Sequence, residues 1–137
     1  KHFISAFGEH VIGKEVEQAI EWSMKKHHFS LSEFTVAPQI VTKEGELPYH
    51  EWLVEFEIEP EDLQKVAADL DALMQKQNSY YKDLIVGKVL QPLKITKLNR
   101  NSFNSFMKSQ GKLGGQNKVP RLANDRKIAD RLLKIQV

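Results

Sequence analysis

The sequence predicts an α+β fold of the ferredoxin-like kind, in which a βαββαβ series forms an antiparallel sheet with helices on one face. Three observations support this prediction. Two stretches have the apolar spacing of amphipathic helices, one stretch alternates between apolar and acidic residues, and glycine or proline separates most of the elements. In chain order, we expect these strands and helices at residues 3–7, 12–27, 31–41, 51–59, 61–78 and 90–95.

The two long helices are predicted from apolar residues that recur three and four positions apart. The first ends near His27, and the second starts after Pro60 and ends near Asn78. One or two further helical turns follow, closed by Gly87. The predicted apolar faces consist of Ile12, Val16, Ala19, Ile20 and Met24 in the first helix, and of Leu63, Val66, Ala67, Leu70, Leu73 and Met74 in the second.

The strands are predicted from the alternation of apolar and polar residues. In the second strand Pro38 lacks a backbone N–H, which predicts an edge position or a bulge. The third strand has a core face and an acidic face, and we interpret the acidic face as solvent-exposed rather than catalytic. The core face consists of Trp52, Val54, Phe56 and Ile58, and the acidic face of Glu51, Glu55, Glu57 and Glu59.

Residues 98–137 are predicted to extend an α+β core of residues 1–97 within a single domain. They contain a short helix around 101–109, a loop, and a basic helix from about 124 to 135. The charge is unevenly divided, because residues 1–96 carry 10 Lys/Arg and 16 Asp/Glu (net −6), whereas residues 97–137 carry 10 and 2 (net +8). A basic end predicts an anionic partner, and a basic surface docked on the protein's own acidic body is the alternative.

The composition excludes several classes of protein. The 137 residues are 41% hydrophobic and 28% charged, which is typical of a soluble globular domain. No cysteine is present, so disulfides and thiolate metal sites are excluded. No stretch approaches the roughly 20 consecutive apolar residues of a membrane span, and no signal peptide opens the sequence. We therefore expect a cytoplasmic protein with no membrane partner.

The loop at residues 111–121 is the most informative part of the sequence. Its glycines permit close approach to a ligand, and Lys112, Lys118 and Arg121 carry charges that suit phosphate. The Gly-x-x-x-x-Gly-Lys-Ser/Thr pattern of a P-loop is missing. The five histidines have no metal-ligand spacing, and no serine lies in a nucleophile motif. The loop therefore predicts either phosphate contact or an ordinary basic surface, and no metal site is expected.

Several short motifs, in order along nearly the whole chain, resemble one known family. The most specific motif covers residues 111–122 and reads Gly-Lys-Leu-Gly-Gly-Gln-Asn-Lys-Val-Pro-Arg-Leu. Together the motifs resemble the C-terminal domain of the auxin-responsive (Gretchen Hagen) family of acyl-acid amido synthetases, in its bacterial branch. The less specific motifs lie at residues 7–10, 15–17, 32–38, 48–52 and 78–81.

This resemblance implies a ligase that uses ATP and Mg²⁺ to convert a carboxylic acid to an acyl-AMP, which an amine such as an amino acid then attacks. It implies that Lys118 is the catalytic lysine that reaches the ATP phosphates, with Lys112 as the second candidate. A separate N-terminal adenylating domain would hold the nucleotide and acid sites, so the isolated domain is expected to bind no cofactor and to be inactive. The other nucleotide-binding candidates are Gly114, Gly115, Gln116 and Arg121, of which Arg121 either pairs with phosphate or pins the loop.

Two other functions stay open at this point. The basic end and the strand order are compatible with a nucleic-acid-binding module, although the glutamate row of the third strand would repel phosphate, so we expect no nucleic-acid partner. The same strand order also occurs in regulatory domains that bind amino acids. That hypothesis predicts that the isolated domain binds an amino acid by itself.

Overall fold

The computed structural model of the chain describes residues 2–111 and 118–136. Within these residues, none of the helices is both long and apolar enough to cross a membrane. The strands are β1 (Phe3–Ile4), β2 (Val11–Ile12), β3 (Ser30–Gln39), β4 (Tyr49–Ile58) and β5 (Lys94–Leu98). The helices are α1 (Gly13–His27), α2 (Leu63–Gln77), α3 (Ser79–Val86), α4 (Ser102–Ser109) and α5 (Lys127–Lys134).

The helix ends form where the sequence provides partners for exposed backbone groups. The carboxylate of Glu15 accepts the backbone N–H of Ile12 at the start of α1, and His28 ends that helix in the left-handed conformation. Asp62 caps α2 by accepting the N–H of Lys65. Asn78 caps α3 in the same way, by accepting the N–H of Tyr81.

The main sheet has three strands in the order β3-β4-β5. β3 pairs antiparallel with β4, and β5 joins β4 in parallel after the α2–α3 crossover. The predicted edge position of Pro38 is confirmed, since β3 is an outer strand of this sheet. The α+β class and the order of elements are confirmed, but the sheet is mixed rather than wholly antiparallel.

Two predicted strands differ from the structure. The first is shortened to the two residues of β1, which pair with β2 in a separate two-stranded sheet. The last strand begins at Lys94, because Leu90 and Leu93 fill the core from the preceding loop instead of joining the sheet. Both differences arise because apolar residues are buried equally well in a loop and in a strand.

Two hydrophobic cores lie on opposite faces of the main sheet. α1, α2 and α3 pack on one face, against side chains that include Phe34, Trp52 and Val54. α4 and α5 pack on the other face, against Ala37 and Leu53. The predicted C-terminal extension thus completes the second core, and helices cover both faces of the sheet.

The predicted solvent exposure of the acidic face of β4 is wrong at two positions. Glu51 and Glu55 are only 6% and 8% exposed, since α4 and α5 cover this face. Each carboxylate has polar partners that compensate for burial. Glu51 pairs with Arg126 at 2.6 Å, and Glu55 accepts the backbone N–H of Phe103 at 3.0 Å. The remaining two glutamates, Glu57 and Glu59, are exposed as predicted.

Candidate functional site

Lys118 is exposed at the point where the described chain resumes after the loop. It lines a cavity of about 230 Å³ between the start of β3, the end of β4 and α4. The other predicted loop residues, Lys112, Gly114, Gly115 and Gln116, lie outside the described residues. The cavity is lined by Ser32, Glu33, Glu55, Phe103, Asn104, Met107, Lys118 and Val119.

The chain that follows Lys118 is attached to the outer edge of β3, and we call residues 119–123 the anchored segment. Val119 is buried in the second core. The backbone of Val36 donates to the carbonyl of Arg121 at 2.9 Å and accepts from the N–H of Ala123 at 3.0 Å. These two bonds form a parallel bridge between Val36 and Leu122. The anchored segment therefore lies along the outer edge of β3 and is joined to it by one parallel bridge.

The side chain of Arg121 ties the same segment to two elements. Its guanidinium forms ion pairs with Glu17 of α1, at 3.1 Å, and with Glu33 of β3. It also lies 5.0 Å from the ring centroid of Phe34. These contacts hold the Arg121 side chain against α1 and β3, and its role in the loop stays a prediction.

Acidic groups surround the cavity beside Lys118. Glu55 is nearly buried, and its second oxygen accepts the hydroxyl of Ser32 at 2.8 Å. Glu33 lines the same cavity while its carboxylate accepts from Arg121. Lys118 therefore shares this cavity with two carboxylates, each of which has a hydrogen-bond partner of its own.

Glu55 lines this cavity, although its place in the glutamate row of β4 predicted a solvent-exposed side chain. One signal for its burial was present. Leu53 shares the face of β4 with Glu51 and Glu55, and a large apolar residue between two acids indicates that this face is covered. The structure places Leu53 at 0% exposure.

The nucleic-acid hypothesis requires a sheet with an open face, and the structure shows whether the faces of this sheet are covered. RNA-recognition sheets present aromatic side chains on an open face. Here Phe34 and Trp52 stack on each other at 5.7 Å, but both are buried under α1 and α2. The opposite face is covered by α4 and α5. The described sheet therefore provides no stacking platform for bases.

Comparison with known proteins identifies the family of this chain. A model of the GH3 family C-terminal domain matches residues 14–127, which is most of the chain. No curated protein matches the chain. Two solved structures match all of it at 17% identity, namely AtGH3.15 acyl acid amido synthetase in complex with 2,4-DB (TM-score 0.73) and GH3.15 acyl acid amido synthetase (TM-score 0.75).

The solved structures show the fold of this chain, whereas the family match shows the family to which it belongs. At 17% identity the structural likeness concerns the fold alone, and this chain spans 26% of the length of each of those chains. The family match, in contrast, covers the elements from α1 to the start of α5 and includes the lysine loop. The chain therefore belongs to the GH3 family, as a C-terminal domain of that family.

Proposed function

We propose that this chain is the C-terminal domain of an ATP-dependent ligase that forms an acyl adenylate and joins the acid to an amine. Membership of the GH3 family supports this proposal, and both similar structures are acyl acid amido synthetases. The main structural support for this proposal is the position of Lys118. This lysine is exposed and directly precedes a segment that is anchored to the sheet.

The chemistry of adenylation explains why a lysine is useful here. A carboxylate oxygen of the acid attacks the α-phosphorus of ATP, and the bond from that phosphorus to the pyrophosphate oxygen breaks. Negative charge increases on the α-phosphate oxygens and on the departing pyrophosphate. A pre-positioned ammonium group stabilises this charge, and similar donors contribute about 3–4 kcal/mol to catalysis. We assign this role to the Lys118 ammonium.

The other participants are assigned to an N-terminal domain that would precede this one. Among residues 2–111 and 118–136, no group of three acidic or histidine side chains is arranged to hold a metal ion. We therefore assign the Mg²⁺ of the nucleotide, the adenine site and the acid site to that domain. On this proposal, the 137-residue chain alone does not turn over.

The roles of the other loop residues follow from the same proposal. Lys112 is the second candidate for phosphate contact, and Gln116 is a further candidate for nucleotide binding. Gly114 and Gly115 are candidates for nucleotide binding because a residue without a Cβ permits close approach of a ligand. Arg121 fixes the base of the loop through Glu17 and Glu33.

The experiment that tests the proposal is acid-dependent ATP–pyrophosphate exchange by the complete synthetase. Lys118→Ala is expected to lower the exchange rate on the order of 100- to 1000-fold. Lys134→Ala, which removes an exposed lysine of α5, is the matched control and should leave the rate unchanged. Wild-type exchange by Lys118→Ala would remove Lys118 from the proposed role.

A further inference from the structure

We infer that Thr35 is a positioning residue, which determines where Lys118 leaves the protein surface. Thr35 lies in the middle of β3 and is only 1% exposed. Its hydroxyl donates to the carbonyl of Pro120 at 2.8 Å, although the two residues are 85 positions apart. The inference rests on the proposed function, because the group that Thr35 positions is the proposed catalytic lysine.

The backbone alone attaches the anchored segment poorly at this point. A parallel ladder continued from Val36 and Leu122 would next join the N–H of Arg121 to the carbonyl of Phe34, and the described residues do not form this bond. The N–H of Phe34 is also used elsewhere, because it donates to the carboxylate of Glu33 at 3.0 Å. The parallel bridge at Val36 and Leu122 is therefore not continued toward Lys118 by backbone bonds of these two residues.

The Thr35 hydroxyl replaces the missing backbone bond. Among the described residues, its bond to Pro120 is the hydrogen bond to β3 that lies closest to Lys118 along the chain. The ion pairs of Arg121 are more exposed, at 35% for its side chain, and are weakened by water and salt. The buried hydroxyl is therefore the more rigid of the two restraints on this part of the chain.

Loss of this hydroxyl has a specific consequence for catalysis. Valine has nearly the shape of threonine but cannot donate, so Thr35→Val keeps the packing and releases the Pro120 carbonyl from β3. Lys118 lies two residues away and loses the nearest hydrogen bond to β3, although the buried Val119 side chain still holds the neighbouring residue. A displacement of about 1 Å in a catalytic group reduces rates on the order of 100-fold. Thr35 itself would touch neither substrate nor nucleotide.

The test uses the complete synthetase and five variants, one of which is Lys118→Ala, in ATP–pyrophosphate exchange. Thr35→Val is expected to lower the rate on the order of 10- to 100-fold, and Thr35→Ser, which retains the hydroxyl, should restore most of it. Thr42→Val is the matched control, since the Thr42 hydroxyl also donates to a backbone carbonyl at 2.8 Å, that of Glu46 in the β3–β4 connection. It should exchange like wild type.

The double variant Thr35→Val/Lys118→Ala separates positioning from a general structural effect. If Thr35 acts through Lys118, Thr35→Val causes no further loss once Lys118 is absent. Independent losses that multiply, or a wild-type rate for Thr35→Val while Lys118→Ala is impaired, would overturn the inference and leave the proposed function standing.

Amide hydrogen exchange of the 137-residue chain gives a readout that does not depend on catalysis. In Thr35→Val the N–H of Ala123, which donates to Val36, should exchange faster than in wild type. In Thr42→Val it should not. Unchanged protection of Ala123 in Thr35→Val would show that the hydroxyl does not hold the anchored segment, whatever the role of Lys118. If Lys118→Ala exchanges pyrophosphate normally, the proposed role of Lys118 fails, and the inference about catalysis fails with it.

Discussion

The Nε2 atom of His50 lies 2.7 Å from Oε2 of Glu9, and both side chains are almost completely buried, at 3% and 0% exposure. His50 belongs to β4, whereas Glu9 lies between β1 and β2. Asn78 contacts the same segment by donating to the carbonyl of Glu9 at 3.0 Å. This pair therefore ties the N-terminal two-stranded sheet to the body of the domain.

Replacement of His50 by alanine is expected to be strongly destabilising. The change leaves the Glu9 carboxylate buried beside a cavity and without its side-chain partner, which costs about 3–5 kcal/mol for buried pairs of this kind. Urea unfolding followed by circular dichroism measures the loss. His2→Ala, at an exposed position, is the control and should change the free energy of unfolding by less than about 0.5 kcal/mol.

The stability of the domain should fall in acid in a way that depends on Glu9. Burial by itself raises the pKa of the Glu9 carboxyl, but hydrogen bonds from His50 and from the backbone of Phe7 outweigh it and bring the net pKa below its ordinary value. A lowered folded-state pKa contributes stability that is complete above the unfolded-state pKa of about 4.3 and is lost as the pH falls through the folded-state value.

Glu9→Gln tests that pH dependence. Between about pH 5 and pH 3, the free energy of unfolding should decrease more steeply for wild type than for Glu9→Gln, since the glutamine does not titrate. Glu57→Gln, at an exposed position of β4, should retain the wild-type slope. Equal slopes for wild type and Glu9→Gln would contradict the lowered pKa.

Tyr81→Phe should destabilise the domain by about 1.5–3 kcal/mol, as expected for a hydrogen bond to a charged group. The Tyr81 hydroxyl donates to Asp71 at 2.5 Å inside the first core. Burial, with the neighbouring Asp71 carboxylate, raises the pKa of the Tyr81 phenol well above its ordinary value, so the hydroxyl remains a donor in mildly alkaline solution.

Tyr80→Phe provides the comparison for this experiment. Tyr80 is the preceding residue and is 65% exposed, so removal of its hydroxyl should leave the free energy of unfolding almost unchanged. A similar small effect for Tyr81→Phe would show that Asp71 is satisfied by its other donors, the N–H of Leu93 and the amide of Gln75.

Arg126→Ala should weaken the packing of α5 on the sheet. Arg126 donates to the buried Glu51 at 2.6 Å, and Thr96 donates to the other carboxylate oxygen at 2.5 Å. Without the arginine, a buried carboxylate loses its countercharge, which costs about 3 kcal/mol. The free energy of unfolding and the exchange protection of α5 should both decrease. Arg131→Ala, on the exposed side of the same helix, should have little effect on either.

Much of the secondary structure was predictable because its signals are local. The apolar spacing of residues 63–74 predicted α2, and the position of Pro38 predicted an edge strand. The loop around Lys118 was identified from its glycines and basic residues and from the resemblance to a family that the family match confirms. The role of Lys118 itself stays a prediction.

The partners of the candidate site were not predictable in the same way. Arg121 contacts Glu17 and Glu33, which lie 104 and 88 residues away in sequence. The hydroxyl of Thr35 reaches Pro120 across a similar separation. A single sequence contains no local signal for such pairs, because they depend on which strand edge the C-terminal segment occupies.

The sequence by itself determined which segments form helices and strands, since periodicity depends on neighbours two to four positions apart. It also determined the unequal distribution of charge and the composition of the lysine loop. Tertiary structure decided how deeply Glu51 and Glu55 are buried, and it alone placed the segment after Lys118 beside β3. Burial and strand pairing depend on residues far apart in the chain, so the same glutamates are exposed or buried according to whether α4 and α5 cover them.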